Sequence, residues 1–127
     1  MRENLYIAGR RDIRPISAIA ERKTAGELLA GINGTIIVLD HQPLEFRQLE
    51  KAGAHLVFSG HTHRGQIFPG NLITRRMFKN AGATHYGYWL GETMQGVVTS
   101  GTGYWGPPVR IATNSEVAVI DISFCEK

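Results

Sequence analysis

Three histidines in the first half of the chain have the residue type and spacing of a metal site. His41 follows the apolar run Thr35–Leu39, and His61 and His63 lie in the segment Gly-His-Thr-His-Arg-Gly-Gln. Imidazole is the commonest metal-binding side chain and suits zinc, iron and related transition metals. Two histidines separated by one residue can point to the same region where the backbone is extended, and flanking glycines permit close approach. We therefore expect the three histidines to bind metal.

Neighbouring polar residues are candidates for contacts around such a site. Asp40 could orient an imidazole by accepting its second N–H, with a role at the strand end as the alternative. Arg64 and Gln66 stand where they could contact a phosphate, Arg64 through its bidentate fork. Arg110 could reach the same region, although we favour a salt bridge to Glu116.

Alternating strand and helix signals surround these residues. Apolar, β-branched runs predict three strands, at residues 5–8, 35–39 and 55–59. Thr24 with Glu27 forms a capping-box pattern that predicts a short helix, and apolar spacing predicts a second helix over 44–52. This order favours right-handed crossovers and a mainly parallel sheet. Because ligands bind beyond the carboxyl ends of such strands, the three histidines are expected on one rim.

The second half of the chain is richer in strands and turns. Residues 86–93 and 95–100 are β-rich around glycines, and a last strand is expected over 116–124. The segment 101–110 contains too much Gly and Pro for a regular element. We therefore expect one α/β domain over residues 1–127, with a parallel βαβαβ first half and a more antiparallel, β-rich second half.

Composition limits the possible classes of protein. The 127 residues are 43% hydrophobic and 20% charged, which allows one modest core. The net charge of +3 does not indicate a nucleic-acid binder, and the arginine pairs at 10–11 and 75–76 are interpreted as solvated surface. No run approaches the ~18 apolar residues of a membrane span, and no export signal precedes the first strand.

The remaining histidines and the cysteine are given ordinary roles. His55 and His85 are assigned to packing or to the surface. The single cysteine, Cys125, cannot form an internal disulfide and fits a reducing compartment. Together with the missing export signal, this favours a cytoplasmic location.

Three segments carry a family resemblance through their content and order. They are residues 37–43 with Asp-His-Gln-Pro, residues 56–69 with Gly-His-Thr-His-Arg-Gly-Gln, and residues 100–110 with Gly-Pro-Pro-Val-Arg. Together they resemble the C-terminal part of calcineurin-like metallophosphoesterases, nearest to a bacterial branch of often membrane-associated phosphohydrolases. The resemblance implies half of an αββα sandwich. It also implies that His41 and His61 bind the second metal of a two-metal site and that His63 binds the first.

The family's upstream motifs do not occur in this sequence. These are Asp-x-His, Gly-Asp and Gly-Asn-His, which supply the bridging aspartate, the asparagine and the catalytic histidine. No catalytic residue is therefore assigned. A two-metal phosphoesterase clamps phosphoryl oxygens and activates a water between metals ~3.5–4 Å apart. We expect metal-dependent hydrolysis of phosphate mono- or diesters in the intact protein, with zinc, manganese or iron, and expect this chain alone to hold at most one metal and be inactive.

Other classes of function remain open. One alternative is a non-enzymatic, oligomeric module that binds one metal or an anion, since three imidazoles could hold one zinc ion with an open water position. Half of a sandwich also leaves a sheet face or edge uncovered, so we expect either a homo-oligomer or association with the absent N-terminal half. Nucleic-acid binding rests only on a few arginines and is ranked last.

Overall fold

A computed structural model describes residues 4–13 and 21–124 and shows a single five-stranded sheet. The strands are β1 (Leu5–Gly9), β2 (Thr35–Leu39), β3 (Leu56–Ser59), β4 (Gly87–Leu90) and β5 (Gln95–Val98). The helices are α1 (Ala25–Leu29), α2 (Phe46–Lys51) and α3 (Gly70–Asn80), with a 3₁₀ turn at His63–Gly65. Cys125 lies outside the described residues.

The strand order is β1-β2-β3-β5-β4. The pairs β1–β2, β2–β3 and β3–β5 are parallel, whereas β4 and β5 are antiparallel. The expected α/β fold, parallel at first and antiparallel later, is therefore confirmed. The parallel arrangement brings the carboxyl ends of β2 and β3 side by side, directly before His41 and His61.

The helix α1 begins at the expected capping box. The Thr24 hydroxyl accepts a hydrogen bond from Glu27 N at 3.2 Å, and the Glu27 carboxylate accepts from Thr24 N at 2.8 Å. The side chains thus satisfy two backbone N–H groups at the start of the helix. This matters for a five-residue helix, because it forms few backbone hydrogen bonds of its own.

The core lies between one face of the sheet and the helices α1 and α2. Phe46 and Leu49 of α2 pack against Val38 and Val57. Gly96 of β5 is required by this packing, because a Cβ there would lie 2.7 Å from the Phe46 ring. These fully buried side chains hold β2, β3 and β5 in register, and with them the rim that carries the histidines.

The opposite face of the sheet is largely open. Strand pairing places Leu39, Phe58, Val97 and Tyr88 in one row across β2, β3, β5 and β4, and Leu39 and Tyr88 are exposed. An open cavity of about 540 Å³ lies between Phe58 and Val97 and the C-terminal segment near Ile120. An exposed apolar row of this length is a typical docking surface.

The prediction of a last strand over residues 116–124 is wrong. Within residues 116–124 the structure has no strand, and Val117 and Val119 are exposed. The segment leaves the sheet beside β5, which is already paired by β3 and β4 on both edges. The segment therefore cannot pair with β5, and it does not pair with the outer edge of β4.

The helix α3 was not predicted from the sequence. Its N-terminus has no side-chain cap, and within the helix only Phe78 is buried. Leu72, Ile73 and Met77 face solvent, so the apolar spacing does not describe one buried stripe. In the part of the chain described here, no helix has the length and apolar character needed to cross a bilayer.

Candidate metal centre

His41 and His61 lie together at the carboxyl ends of β2 and β3. Backbone hydrogen bonds continue past the strands, from Asp40 N to Phe58 O and from Gly60 N to His41 O, each at 3.1 Å. The two imidazoles meet edge to face with ring centroids 5.1 Å apart. His61 Nδ1 lies 3.3 Å from His41 Nε2. The extended pairing of two parallel strands thus brings residues from separate loops into contact.

His63 does not join this pair. The backbone between His61 and His63 is turned rather than extended, since Thr62 is helical (φ −73°, ψ −19°) and both histidines have positive φ, 64° and 47°. The His63 Nδ1 atom instead lies 3.3 Å from an Arg110 nitrogen. Among residues 4–13 and 21–124, no three His, Cys, Asp or Glu side chains converge on one ion position.

The loop that carries His61 and His63 has an unusual backbone. Four of its non-glycine residues have positive φ, namely His61, His63, Arg64 and Gln66. Such conformations cost free energy and persist only where the surroundings enforce them, often at functional sites. One enforcing contact is at Gly65, where a Cβ would lie 2.3 Å from Asn71 Cα. The start of α3 is therefore in close contact with the loop at Gly65.

Arg110 holds this loop through backbone carbonyl groups. Its guanidinium donates to five oxygens, those of His63, Ser100, Gly101, Gly103 and Asn114. The expected salt bridge to Glu116 is wrong, because the glycine-rich loop surrounds the guanidinium with carbonyl oxygens. The Glu116 carboxylate instead accepts from Tyr86 Oη at 2.7 Å and Ser100 N at 2.9 Å.

Asp40 belongs to a buried ionic cluster beside His41. Its carboxylate, 2% exposed, accepts from Arg10 at 3.1 Å and Arg22 at 2.9 Å. Glu45 bonds the same two arginines at 2.5 and 3.1 Å. These contacts fix the end of β2, and the hydrogen bonds of Asp40 go to guanidinium groups rather than to an imidazole. Arg10 is buried, so its interpretation as solvated surface was wrong.

Gln66 and Arg64 are held by neighbouring loops. The buried Gln66 side chain accepts from Trp105 N at 2.6 Å and donates to Trp105 O at 2.8 Å, so it clamps the Gly-Pro-rich loop. The Arg64 guanidinium lies over the Tyr86 ring, 4.3 Å from its centroid, a cation–π contact. The clamping role of Arg110 and the ion pairs of Arg10 and Arg22 with Asp40 had no local signal in the sequence, because both depend on segments far apart in the chain.

Comparison with curated proteins identifies the family. An uncharacterised metallophosphoesterase of Helicobacter pylori is 44% identical over 86 residues, 66% of this chain and 22% of the relative. One of Campylobacter jejuni is 38% identical over 86 residues, 68% of this chain and 22% of the relative. This chain belongs to the metallophosphoesterase family. A zebrafish (Danio rerio) transmembrane protein with metallophosphoesterase domain is 40% identical over 89 residues, 68% of this chain and 20% of the relative.

The matched part of the family is limited. This metallophosphoesterase chain spans about a fifth of the length of these curated relatives. No protein-family profile and no solved structure matches it. The resemblance to the C-terminal part of a metallophosphoesterase domain, drawn from the three sequence segments, is confirmed by these relatives together with the mixed sheet.

The family implies divalent metal, and the His41–His61 pair fits one. Two nitrogen ligands bound tetrahedrally at ~2.0–2.1 Å lie about 3.3–3.4 Å apart, and the two ring nitrogens here are 3.3 Å apart. Burial, followed by the proximity of His41, lowers the pKa of His61. Burial, followed by the Arg110 charge, lowers the pKa of His63. Both shifts favour the neutral imidazole that a metal requires.

Proposed function

We propose that this chain supplies the histidine side of a metal-dependent phosphoesterase site, where a metal-activated water hydrolyses a phosphate mono- or diester. The observation that carries the proposal is the contact between His41 and His61 at adjacent strand ends, with nitrogens 3.3 Å apart. The family name of the relatives supports the same reaction class. The metal is zinc, manganese or iron, because imidazole ligation suits all three.

Each site residue has a distinct role in this proposal. His41 and His61 bind one ion, and His63 binds a second. Ions held by these residues would supply positive charge that binds phosphoryl oxygens and lowers the pKa of a bound water. Arg64 is proposed to contact the phosphate because it directly follows His63 in the loop, and its guanidinium, stacked on Tyr86, would have to turn toward the histidines to do so. Asp40 fixes the end of β2 beside His41 through its ion pairs. Gln66 holds the loop that carries Trp105.

The chain by itself is proposed to be inactive and to bind at most one metal. Two imidazoles converge, whereas the third stays with Arg110, and a closed zinc site needs about four ligands. The alternative, a non-enzymatic module that binds a metal or an anion, draws its support from this same incompleteness. The two functions make different predictions once the missing metal ligands are supplied. The phosphoesterase should then hydrolyse a substrate, and the non-enzymatic module should not.

The missing ligands are proposed to come from a partner surface on the open sheet face. That face carries the apolar row through Leu39, Phe58 and Val97. Its occupant is either the rest of a metallophosphoesterase domain or a second copy of this chain. Either one removes the apolar row from water and can place further side chains at the rim.

Metal binding by the purified chain tests the site. We expect calorimetric titration with Zn²⁺ or Mn²⁺ to give no more than one ion per chain. His41→Ala or His61→Ala should weaken binding at least about tenfold, because each removes one of two converging ligands. The matched control is His55→Ala, which removes an exposed imidazole outside the site. Equal loss in the control, or no loss in either variant, would contradict the assignment.

Activity separates the enzyme from the binding module. The 127-residue chain in Mn²⁺ should show no turnover of bis-p-nitrophenyl phosphate. A fusion that adds the N-terminal region of the Helicobacter pylori relative should hydrolyse it, and His61→Ala in the fusion should abolish turnover. A fusion that binds metal through His61 and yet leaves the substrate intact would favour the non-enzymatic module.

A further inference from the structure

A basic cavity lies between the C-terminal half of α3 and the segment that follows the helix. Its volume is about 350 Å³, within the ~300–1,000 Å³ range of small-molecule sites. Three groups that can carry positive charge, one aromatic ring and two small residues line it, namely Arg75, Lys79, His85, Tyr86, Ala83 and Thr84. Among the described residues, none that lines the cavity is acidic. We call this space the α3 cavity.

Helix periodicity brings two of these cations together. Arg75 and Lys79 are four residues apart on α3, so their side chains lie one above the other on the same face. Arg76 is rotated by about 100° from Arg75 and does not line the cavity. Like charges at a spacing of four residues repel and destabilise a helix. An anion between Arg75 and Lys79 would remove this repulsion.

The positive charge of the α3 cavity is not neutralised within the protein. In residues 4–13 and 21–124 the salt bridges all belong to the ionic cluster around Asp40. Glu116 meets the hydroxyl of Tyr86, but its oxygens also accept from Thr99 and Ser100. Burial, followed by the charges of Arg75 and Arg64, lowers the pKa of His85. Cations that disfavour a protonated imidazole are themselves in need of a counter-ion.

The wall opposite α3 is preformed and adjoins the histidine loop. Thr84 Oγ1 donates to Tyr86 O at 2.8 Å, and Thr62 donates its hydroxyl proton to His85 O. The Arg64 guanidinium lies over the Tyr86 ring. Thr62 and Arg64 stand beside the candidate metal ligands in sequence, yet none of the three candidate histidines lines the cavity. The α3 cavity and the candidate metal centre are therefore separate sites that share one loop.

We propose that the α3 cavity binds the phosphoryl group of a phosphate-containing ligand, apart from the metal ions of the candidate centre. The Arg75 guanidinium donates to two phosphoryl oxygens as a fork, and Lys79 adds a compact charge. His85 donates a ring N–H from the opposite wall. The group comes either from a second phosphoryl group of the substrate or from a separate phosphate anion. Binding requires no metal and no turnover, so it stands apart from the proposed hydrolysis.

Calorimetric titration of the full 127-residue chain tests the proposal. Metal is removed first by chelation and dialysis, and the probes are pyrophosphate and, as a singly charged reference, acetate. We expect pyrophosphate to bind at least about tenfold more tightly than acetate, and to bind more weakly in about 0.5 M NaCl. In proton–nitrogen NMR spectra the ring signals of His85 should move on binding, whereas those of His55, outside the cavity, should not.

Variants with a matched loss of charge locate the site. Arg75→Gln/Lys79→Gln should weaken pyrophosphate binding at least about tenfold, because it removes two charge-assisted contacts. The control Arg76→Gln/Lys51→Gln removes the same charge from exposed positions outside the cavity and should keep the wild-type affinity. His85→Gln tests the opposite wall and should also weaken binding. It replaces the first variant if circular dichroism shows that Arg75→Gln/Lys79→Gln has lost helix.

Steady-state kinetics of the fusion with the N-terminal region of the Helicobacter pylori relative distinguish the two sources. If the substrate supplies the group, Arg75→Gln/Lys79→Gln should raise the KM for thymidine 3′-phosphate 5′-(p-nitrophenyl phosphate). The KM for bis-p-nitrophenyl phosphate, which has one phosphoryl group, should not change. An unchanged KM for both substrates assigns the cavity to a separate anion. This comparison rests on the proposed hydrolysis, and an inactive fusion that binds pyrophosphate through Arg75 counts against the hydrolysis alone.

Three results would overturn the proposal. The first is a folded, metal-free chain that binds no pyrophosphate. The second is an equal loss of affinity in Arg76→Gln/Lys51→Gln, which shows attraction by general surface charge. The third is an unchanged affinity in both Arg75→Gln/Lys79→Gln and His85→Gln, which places the bound anion outside the α3 cavity.

Discussion

At the residue scale, Arg110 shows how a single cation organises the histidine loop without a carboxylate. Its nitrogens bond oxygens on both sides of the Gly-rich loop as well as the His63 carbonyl. A guanidinium suits this task because it offers five donors in one plane and stays charged. The side chain therefore ties residues 47 positions apart into one unit that presents His63.

Replacement of Arg110 should destabilise the chain in proportion to the donors removed. Arg110→Met leaves five carbonyl oxygens without their partner, and the free energy of unfolding should fall by about 2–3 kcal/mol. Arg110→Lys keeps the charge but not the planar fork, and should lose less. Urea unfolding checks both variants against Arg47→Met, an exposed arginine whose loss should cost under about 0.5 kcal/mol. Equal costs in all three would contradict the role of the carbonyl contacts.

Glu116 should make stability depend on pH in the acid range. Burial opposes its charge, but hydrogen bonds from Ser100 N, Tyr86 and Thr99 outweigh burial and lower its pKa. Such a carboxylate contributes stability above its unfolded pKa of about 4.3, and this contribution is lost as pH falls through the lower folded value. The difference in unfolding free energy between the wild type and Glu116→Gln should therefore shrink from pH 6 to pH 3. Thermal melts across that range measure it, and a difference that stays constant from pH 6 to pH 3 would contradict the role of these hydrogen bonds.

At the scale of elements, the sequence indicated most strands but not the turns between them. The continuous runs at β2 and β3 predicted parallel strands covered on both faces, and the pairing is parallel, although Leu39 of β2 is exposed on the open face. The capping box predicted α1, because both of its hydrogen bonds join residues only three positions apart, Thr24 and Glu27. By contrast, the turn at His63–Gly65 depends on contacts with Arg110 and Tyr86, and α3 begins against Gly65 of that turn, which no local pattern encodes. The same limit explains the site: the strand ends predicted that His41 and His61 meet, and the turned backbone separates His63.

Gly65 should be the least replaceable glycine of the histidine loop. Gly65→Ala adds a Cβ at positive φ, 78°, and within 2.3 Å of Asn71. Gly31→Ala is the matched control, since its φ is 74° and nothing lies within 4 Å of the added atom. The control should cost about 1 kcal/mol through backbone strain alone, and Gly65→Ala should cost clearly more because α3 must also move. Denaturant unfolding of the two variants makes the comparison, and similar costs would show that the contact with α3 is loose.

The capping box of α1 gives a second test at this scale. Thr24→Ala removes the hydroxyl that accepts from Glu27 N, and we expect a loss of about 1 kcal/mol. Thr24→Ser keeps the acceptor and should lose only a few tenths. Thermal unfolding separates the two variants, and an unchanged midpoint in Thr24→Ala would mean that α1 is held by Ala25 and Leu29 packing alone.

At the scale of the whole molecule, the sheet has one covered and one open face. We expect the purified chain to associate at high concentration, because the row through Leu39 and Tyr88 exposes apolar area that a partner would remove from water. Leu39→Thr/Tyr88→Thr should shift sedimentation equilibrium toward the monomer. Val109→Thr, an exposed apolar residue away from the sheet, should leave the distribution unchanged. A wild-type chain that remains monomeric at high concentration would contradict this expectation.

The strand order also sets the sequence in which the sheet can assemble during synthesis. β3 ends at Ser59, but its second neighbour β5 begins only at Gln95. The strands β1, β2 and β3 can pair as soon as residue 59 has left the ribosome, and the loop that carries His61 follows at once. At a synthesis rate of ~5–20 residues per second, one edge of β3 then stays unpaired for several seconds until β5 arrives. The nascent chain therefore exposes an apolar strand edge at the stage when it is most prone to pair with another chain.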